Sequence, residues 1–170
     1  MHDVYIELIL NVVREQHGNE EVFYEKFLSI SQQKWQGWKQ GTASLTPEEN
    51  QKIKNLFSDY EWMLLQKILR QTIIYPEKRL VAVSEYRKMK IEIAQKWLNI
   101  GLATVEMNQL KEENKDNRYL NLRVMIQYDE WGFDDIINFK LPAYIQQQVE
   151  NEPVALLNWV NENLEETYNN

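Results

Sequence analysis

The chain is predicted to fold as an α+β protein. A mostly helical N-terminal part with a helix-turn-helix-like unit leads into long central helices. A small antiparallel β-hairpin or three-stranded sheet follows, covered by a C-terminal helix. Three observations predict this. Up to about Leu98, apolar residues recur every three or four positions, which is the helical period. From Leu120 the pattern changes to alternation, the mark of a half-buried strand. The prolines, and every glycine except Gly37, fall between these periodic segments, not within them.

The first helix is expected over residues 3 to 16, where Tyr5, Leu8, Ile9, Val12 and Val13 share one face. His17-Gly18-Asn19 ends it, with Gly18 able to take the left-handed conformation. A lone His beside a helix-ending glycine reads as a solvated cap, because no second His or Cys lies nearby to share a metal. Residues 23 to 41 then read as a short helix, a tight turn at Ser29 to Ser31 and a second short helix from Gln32, closed by Gly41. Tyr24, Leu28, Ile30, Trp35 and Trp38 have the spacing a helix-turn-helix needs around one small core. Two positions depart from that pattern: Glu25 stands where a small residue is usual, and Ser29 where glycine is common in the turn. Gln32, Gln33, Lys34, Gln36 and Lys39 are the outward candidates for DNA contact, since Gln and Lys can reach base edges and phosphates. The same pattern also suits a packed helical hairpin that touches no nucleic acid.

Thr46-Pro47-Glu48-Glu49 is a capping box with proline at the first helical position. The apolar set Ile53, Leu56, Phe57, Tyr60, Met63, Leu64, Ile68 and Leu69 predicts one helix from there to about Ile74, broken before Pro76. A long helix is expected from Pro76 to about Leu98. Leu80, Val83, Tyr86, Met89, Ile93 and Trp97 would be buried, and Arg79, Arg87, Lys88, Lys90 and Lys96 exposed. The stretch 102–110 reads either as strand or as helix, and Lys111 to Arg118 as a polar loop. Leu120, Leu122, Val124, Ile126 and Tyr128 form one strand. Asp129 to Asp134 turns on Gly132, and Ile137, Phe139 and Leu141 return as the second strand. Pro142 is expected to start a short helix and Pro153 the last one, whose stripe is Leu157, Val160 and Leu164.

With 170 residues, 44% of them hydrophobic, the chain has room for a real core. No apolar run approaches the roughly 20 residues of a membrane span. Met-His-Asp-Val-Tyr lacks the basic and apolar regions of a signal peptide, so a cytoplasmic location is expected. The absence of cysteine excludes a disulfide framework, a thiolate nucleophile and a sulfur zinc cage. The net charge of -7 is unevenly spread. Residues 1–75, the expected helix-turn-helix-like domain, carry 8 Lys/Arg against 10 Asp/Glu. Residues 76–100, the connecting helix, carry 6 against 3, and residues 101–170, the small α/β domain, carry 5 against 13. The N-terminal part therefore lacks the basic footprint of a dedicated nucleic-acid binder. The acidic C-terminal part would repel phosphate and attract a basic surface.

No glycine-rich phosphate loop, HExxH or nucleophile motif occurs, and no cofactor or metal is implied. Asp134-Asp135 and Glu165-Glu166 are adjacent in sequence only, and neighbouring strand residues face opposite ways. The chain reads as a binder and not an enzyme. Its partner-binding candidates are Asp129, Glu130, Trp131 and Asp134 on the hairpin turn. Six Trp and nine Tyr suggest a symmetric homodimer, because aromatic residues are enriched at interface cores. Trp62 and Trp159, at the edges of their stripes, are the dimer candidates, and a wide core face is the other reading of both.

Four segments in order resemble the streptococcal-phage anti-CRISPR proteins that act as homodimers on a type II CRISPR effector nuclease. They are Trp35-Gln-Gly-Trp38-Lys39-Gln-Gly41, Leu56-Phe57-Ser-Asp59-Tyr60-Glu61, Lys96-Trp97-Leu98 and Leu157-Asn-Trp159-Val-Asn-Glu-Asn-Leu164-Glu165. The resemblance covers most of the chain, and the hairpin turn departs from it by being shorter. It implies the architecture above, a type II CRISPR effector nuclease as partner, inhibition by binding and action in the cytoplasm of a bacterial host. No individual contact residue is carried over. A phage-type transcriptional regulator that reads its own promoter DNA is the alternative.

Overall fold

A computed structural model describes residues 2–111, 118–142 and 152–162, and it is α+β. The stretches 112–117 and 143–151, Leu164 and Glu165-Glu166 lie outside the described residues, and with them most of the expected polar loop and the helix expected from Pro142. The chain divides into two compact units, Met1–Phe57 with Trp62–Glu85, and Ser58–Glu61 with Tyr86–Asn170.

In the first unit, α1 (His2–His17) buries Val4, Leu8, Ile9, Val12 and Val13 along one stripe. Gly18, at φ 80°, closes it. The next helix starts earlier than expected, because Asn19 caps it by accepting the Val22 N–H at 2.9 Å. This α2 (Glu20–Val22) runs into a π turn, Phe23–Phe27. Ser29 then takes φ 56°, in the left-handed region. A serine thus holds the turn position where glycine is common, at a steric cost of roughly 1–2 kcal/mol. Ser31 caps α3 (Gln32–Gln40), and Gly41 at φ 78° ends it. Tyr24, Leu28, Trp35 and Trp38 are buried at the centre, as their spacing predicts. Glu25 is exposed, so it does not lie where the two helices cross.

The Thr46/Glu49 capping box starts α4 (Pro47–Lys54). The single helix expected over 47–74 is in fact two. The N–H groups of Leu56 and Phe57 turn back to the carbonyls of Ile53 and Lys54, and α5 (Asp59–Ile74) restarts after them. Ser58-Asp59-Tyr60-Glu61 is a second capping box, with Glu61 N–H donating to Ser58 Oγ and Ser58 N–H to Glu61 Oε1. The uninterrupted apolar period on both sides hides it in the sequence. Leu64, Leu65, Ile68 and Leu69 are buried, whereas Met63 is exposed. After Pro76 the expected long helix begins as a 3-10 turn, Pro76–Val81, and α6 follows over Ala82–Asn99. With about three residues per turn, the 3-10 segment carries Leu80 off the helical stripe. Leu80 is 94% exposed, not buried as its position in the period predicts.

The second unit contains a three-stranded antiparallel sheet in the order β1 (Thr104–Lys111), β2 (Arg118–Tyr128), β3 (Phe133–Pro142). The ambiguous stretch is therefore a strand. The register sets Leu120 opposite Leu141, Leu122 opposite Phe139 and Val124 opposite both Val105 and Ile137. That apolar face packs with Ile91 and Ala94 of α6 and with Leu156, Leu157 and Val160 of α7 (Pro153–Glu162).

Of the basic face expected on the 76–98 helix, Arg79, Lys88 and Lys96 are exposed and Arg87 is half-buried, but Lys90 is buried. Its side chain is 8% exposed and its Nζ stands 2.9 Å from Glu61 Oε2, on a side chain 4% exposed. Lys90 Nζ also donates to the Asn138 carbonyl at 2.7 Å. Asn138 donates its backbone N–H and its Nδ2 to the two Glu61 oxygens, each at 3.3 Å. Ser58 Oγ donates to the Ile136 carbonyl. Every second backbone group of an edge strand points outward, and on β3 these groups of Ile136 and Asn138 are taken up by helix starts and side chains. Burial alone would push the Glu61 carboxyl up; the Lys90 ammonium and the N–H groups of Ser58 and Asn138 outweigh it and hold the group below its ordinary value.

Removing one partner of a buried pair costs about 3–5 kcal/mol. Lys90→Met should lower the stability of the second unit by that much, read as urea-dependent hydrogen exchange at the β3 amides. Adding Glu61→Gln, which keeps the cap without the charge, should recover over half of the loss; no recovery would mean that the pair is not the stabilising contact. The carboxyl pKa is depressed in the fold, so its contribution is complete above the unfolded value of about 4.3. It is lost as pH falls below that value and through the lower folded one. Protection of the β3 amides should decline over that window in the wild type, and the double variant should lack this component.

Candidate functional site

Two surfaces carry the residues singled out by their sequence pattern. The first is α3. The glutamines predicted to face outward, Gln32, Gln33 and Gln36, are exposed on a helix capped at both ends. Its lysines are engaged within the fold. Lys34 Nζ lies 2.8 Å from Glu49 Oε1, and Lys39 Nζ lies 2.7 Å from Glu20 Oε1. Glu20 Oε1 also accepts the Trp35 indole N–H at 3.0 Å, while its Oε2 accepts from Arg14 at 3.1 Å. Burial raises the Glu20 carboxyl, but Lys39, Trp35 and Arg14 more than offset this and hold it low. Lys34 and the Thr46 N–H do the same for Glu49. The outward face of α3 is thus a row of neutral amides, and its cations tie the unit together.

The second surface is the turn between β2 and β3. Trp131 and Gly132 donate their N–H groups to the Tyr128 carbonyl at 2.8 and 3.1 Å, with Gly132 at φ 71°. This tight loop leaves Trp131 76% and Phe133 54% exposed. Asp129, Glu130 and Asp134 are exposed beside them. The Tyr128 hydroxyl donates to Asp135 at 3.0 Å, which pushes that hydroxyl's pKa up. No Lys or Arg lies between Arg123 and Lys140. The structure therefore brings all four partner-binding candidates to one tip.

The two tryptophans read as dimer candidates are half-buried. Trp62 packs edge-on against Phe57, with ring centroids 5.4 Å apart, and Trp159 packs on the apolar core of the second unit.

One exposed region is missed by the sequence pattern: Ile73, Ile74, Tyr75, Leu80 and Val81 are all exposed. The buried stripe of α5 runs through Leu64, Leu65, Ile68 and Leu69 to Thr72. Projecting that stripe past Leu69 reaches Thr72 and leaves Ile73 and Ile74 outside it, which was the available signal.

Among the described residues no group of three or more His, Cys, Asp or Glu could hold a metal ion, and no helix is long and apolar enough to cross a membrane. No protein-family model, no curated protein and no solved structure matches the chain.

Proposed function

We propose that this chain is a non-catalytic inhibitor that binds a type II RNA-guided DNA endonuclease in a bacterial host, and that the hairpin tip makes the contact. The observation that carries this reading is Trp131, 76% exposed and flanked by the exposed carboxylates of Asp129, Glu130 and Asp134. An exposed tryptophan is a ready anchor for a partner surface. Such nucleases hold nucleic acid in positively charged channels and use protein side chains to read a short adjacent duplex. A tip with an aromatic anchor and no cation can dock beside such a surface or compete for it. The resemblance of four ordered segments to the anti-CRISPR proteins supports the partner class, and it also implies a homodimer.

Purified protein in excess should suppress target-DNA cleavage by at least one type II nuclease from streptococci or their relatives. Trp131→Ala should weaken that inhibition about 30-fold or more, the effect of losing an anchor worth about 2 kcal/mol. Undiminished cleavage across the panel, with no complex on gel filtration, would sink the proposal.

The exposed amides of Gln32, Gln33 and Gln36 favour a second reading, a phage-type helix-turn-helix regulator. A dimer would read an inverted repeat upstream of its own gene, with half-sites about one helical turn apart. With Lys34 and Lys39 held by carboxylates, the phosphate contribution is small and binding should be weak. Gln33→Ala/Lys34→Ala should abolish binding to that DNA. Equal binding by wild type and variant would show that α3 is not the reader.

A further inference from the structure

Within nine consecutive residues of the first unit, five large apolar side chains are exposed: Ile73 57%, Ile74 56%, Tyr75 47%, Leu80 94% and Val81 44%. Exposed apolar patches with a polar rim mark interaction sites. Here the rim carries Arg70 and Arg79 against one exposed carboxylate, Glu77. Arg70 and Arg79 are exposed and make no ion pair among the described residues, whereas Lys78 is held by Glu85 at 3.2 Å. No Asp or Glu occurs between Glu61 and Glu77. The corner where α5 meets the 3-10 turn thus asks for an occupant that is both acidic and aromatic.

This chain carries such an element. The hairpin tip offers Trp131 and Phe133 with Asp129, Glu130 and Asp134, and it bears no Lys or Arg. We propose that the tip of one copy seats on the Ile73–Val81 corner of a second copy. The two rings lie on the aliphatic side chains, and the tip carboxylates face Arg70 and Arg79. Among the described residues the side chains of Arg70, Arg79, Asp129, Glu130 and Asp134 make no ion pair, although all five are exposed. Association through this contact should depend on concentration, and its electrostatic part should weaken with salt.

Sedimentation equilibrium of the full chain over a wide concentration range tests the contact. Wild type should rise above the mass of one chain as concentration increases, and less so in high salt. Trp131→Ala and Leu80→Asp should each stay at one chain, with unchanged circular dichroism because both side chains are exposed. Arg79→Glu, which leaves the apolar residues in place, should weaken association as well. An equimolar mixture of Trp131→Ala and Leu80→Asp should associate again, since each supplies the half the other lacks. A mixture that stays at one chain, or association that survives both single variants, overturns the tip–corner contact and leaves the homodimer standing. Wild type at the mass of one chain throughout removes the contact and the homodimer together. Cleavage assays then separate the two readings, because a chain that never self-associates can still inhibit.

Discussion

A carboxylate and an ammonium 2.9 Å apart, both almost wholly removed from water, set the structure of the second unit. Taking such a pair out of water is costly, and it persists only where every remaining lone pair and proton is met. That condition is what locks the elements together. Glu61 completes the capping box of Ser58 at the start of α5, and it is the counter-ion of Lys90 on α6 and the acceptor for Asn138 on β3. Lys90 in turn satisfies the Asn138 carbonyl and lies over the ring of Phe139, 5.1 Å from its centroid. A shift of any one element would leave a buried charge without its partner. The network also closes the outer edge of β3, which would otherwise be a template for further strands.

The first unit is held by a different device. Trp35, fully buried, packs against Phe23 at 5.8 Å, Tyr24 at 5.9 Å and Trp38 at 4.9 Å between ring centroids. Its one polar atom then needs an acceptor, and Glu20 provides it while also binding Lys39 and Arg14. The cations of α3 are thus part of the same arrangement that makes α3 fold. A helix of this shape that served DNA would be expected to keep them for phosphate. The geometry around Glu20 and Glu49 therefore weighs toward the protein-binding reading.

Among the described residues most aromatic side chains are buried or half-buried within the two units, and the exposed ones are Phe27, Tyr75, Trp131 and Phe133. The hairpin tip and the α5 corner differ in charge and share an apolar centre. Surfaces of this kind gain affinity from the desolvated apolar residues and gain rate and selectivity from the charges around them. The tip is also rigidly presented, because a short loop closed onto the Tyr128 carbonyl loses little freedom on binding.

Local chemistry was legible in the sequence wherever the cause of a structure lies within a few residues. The helix start at Thr46, the left-handed glycines at 18, 41 and 132, the alternation of β2 and β3 and the exposed hairpin tip all have causes within a turn or two. The α+β class followed from those periods alone. Tertiary structure decided the rest, because periodicity identifies a face without saying what covers it. Lys90 sits on the buried stripe with Tyr86 and Ala94, but only its partner 29 positions earlier in the chain makes burial tolerable. Ser58 breaks an apolar period that by itself reads as continuous, because its hydroxyl, the acceptor of the local capping box with Glu61, also donates to the Ile136 carbonyl of β3. Leu80 has the spacing of a core residue and stands in solvent, since a 3-10 turn replaces the first turn of the helix. In each case a long-range partner or a change of helical pitch outweighed a pattern that was locally sound.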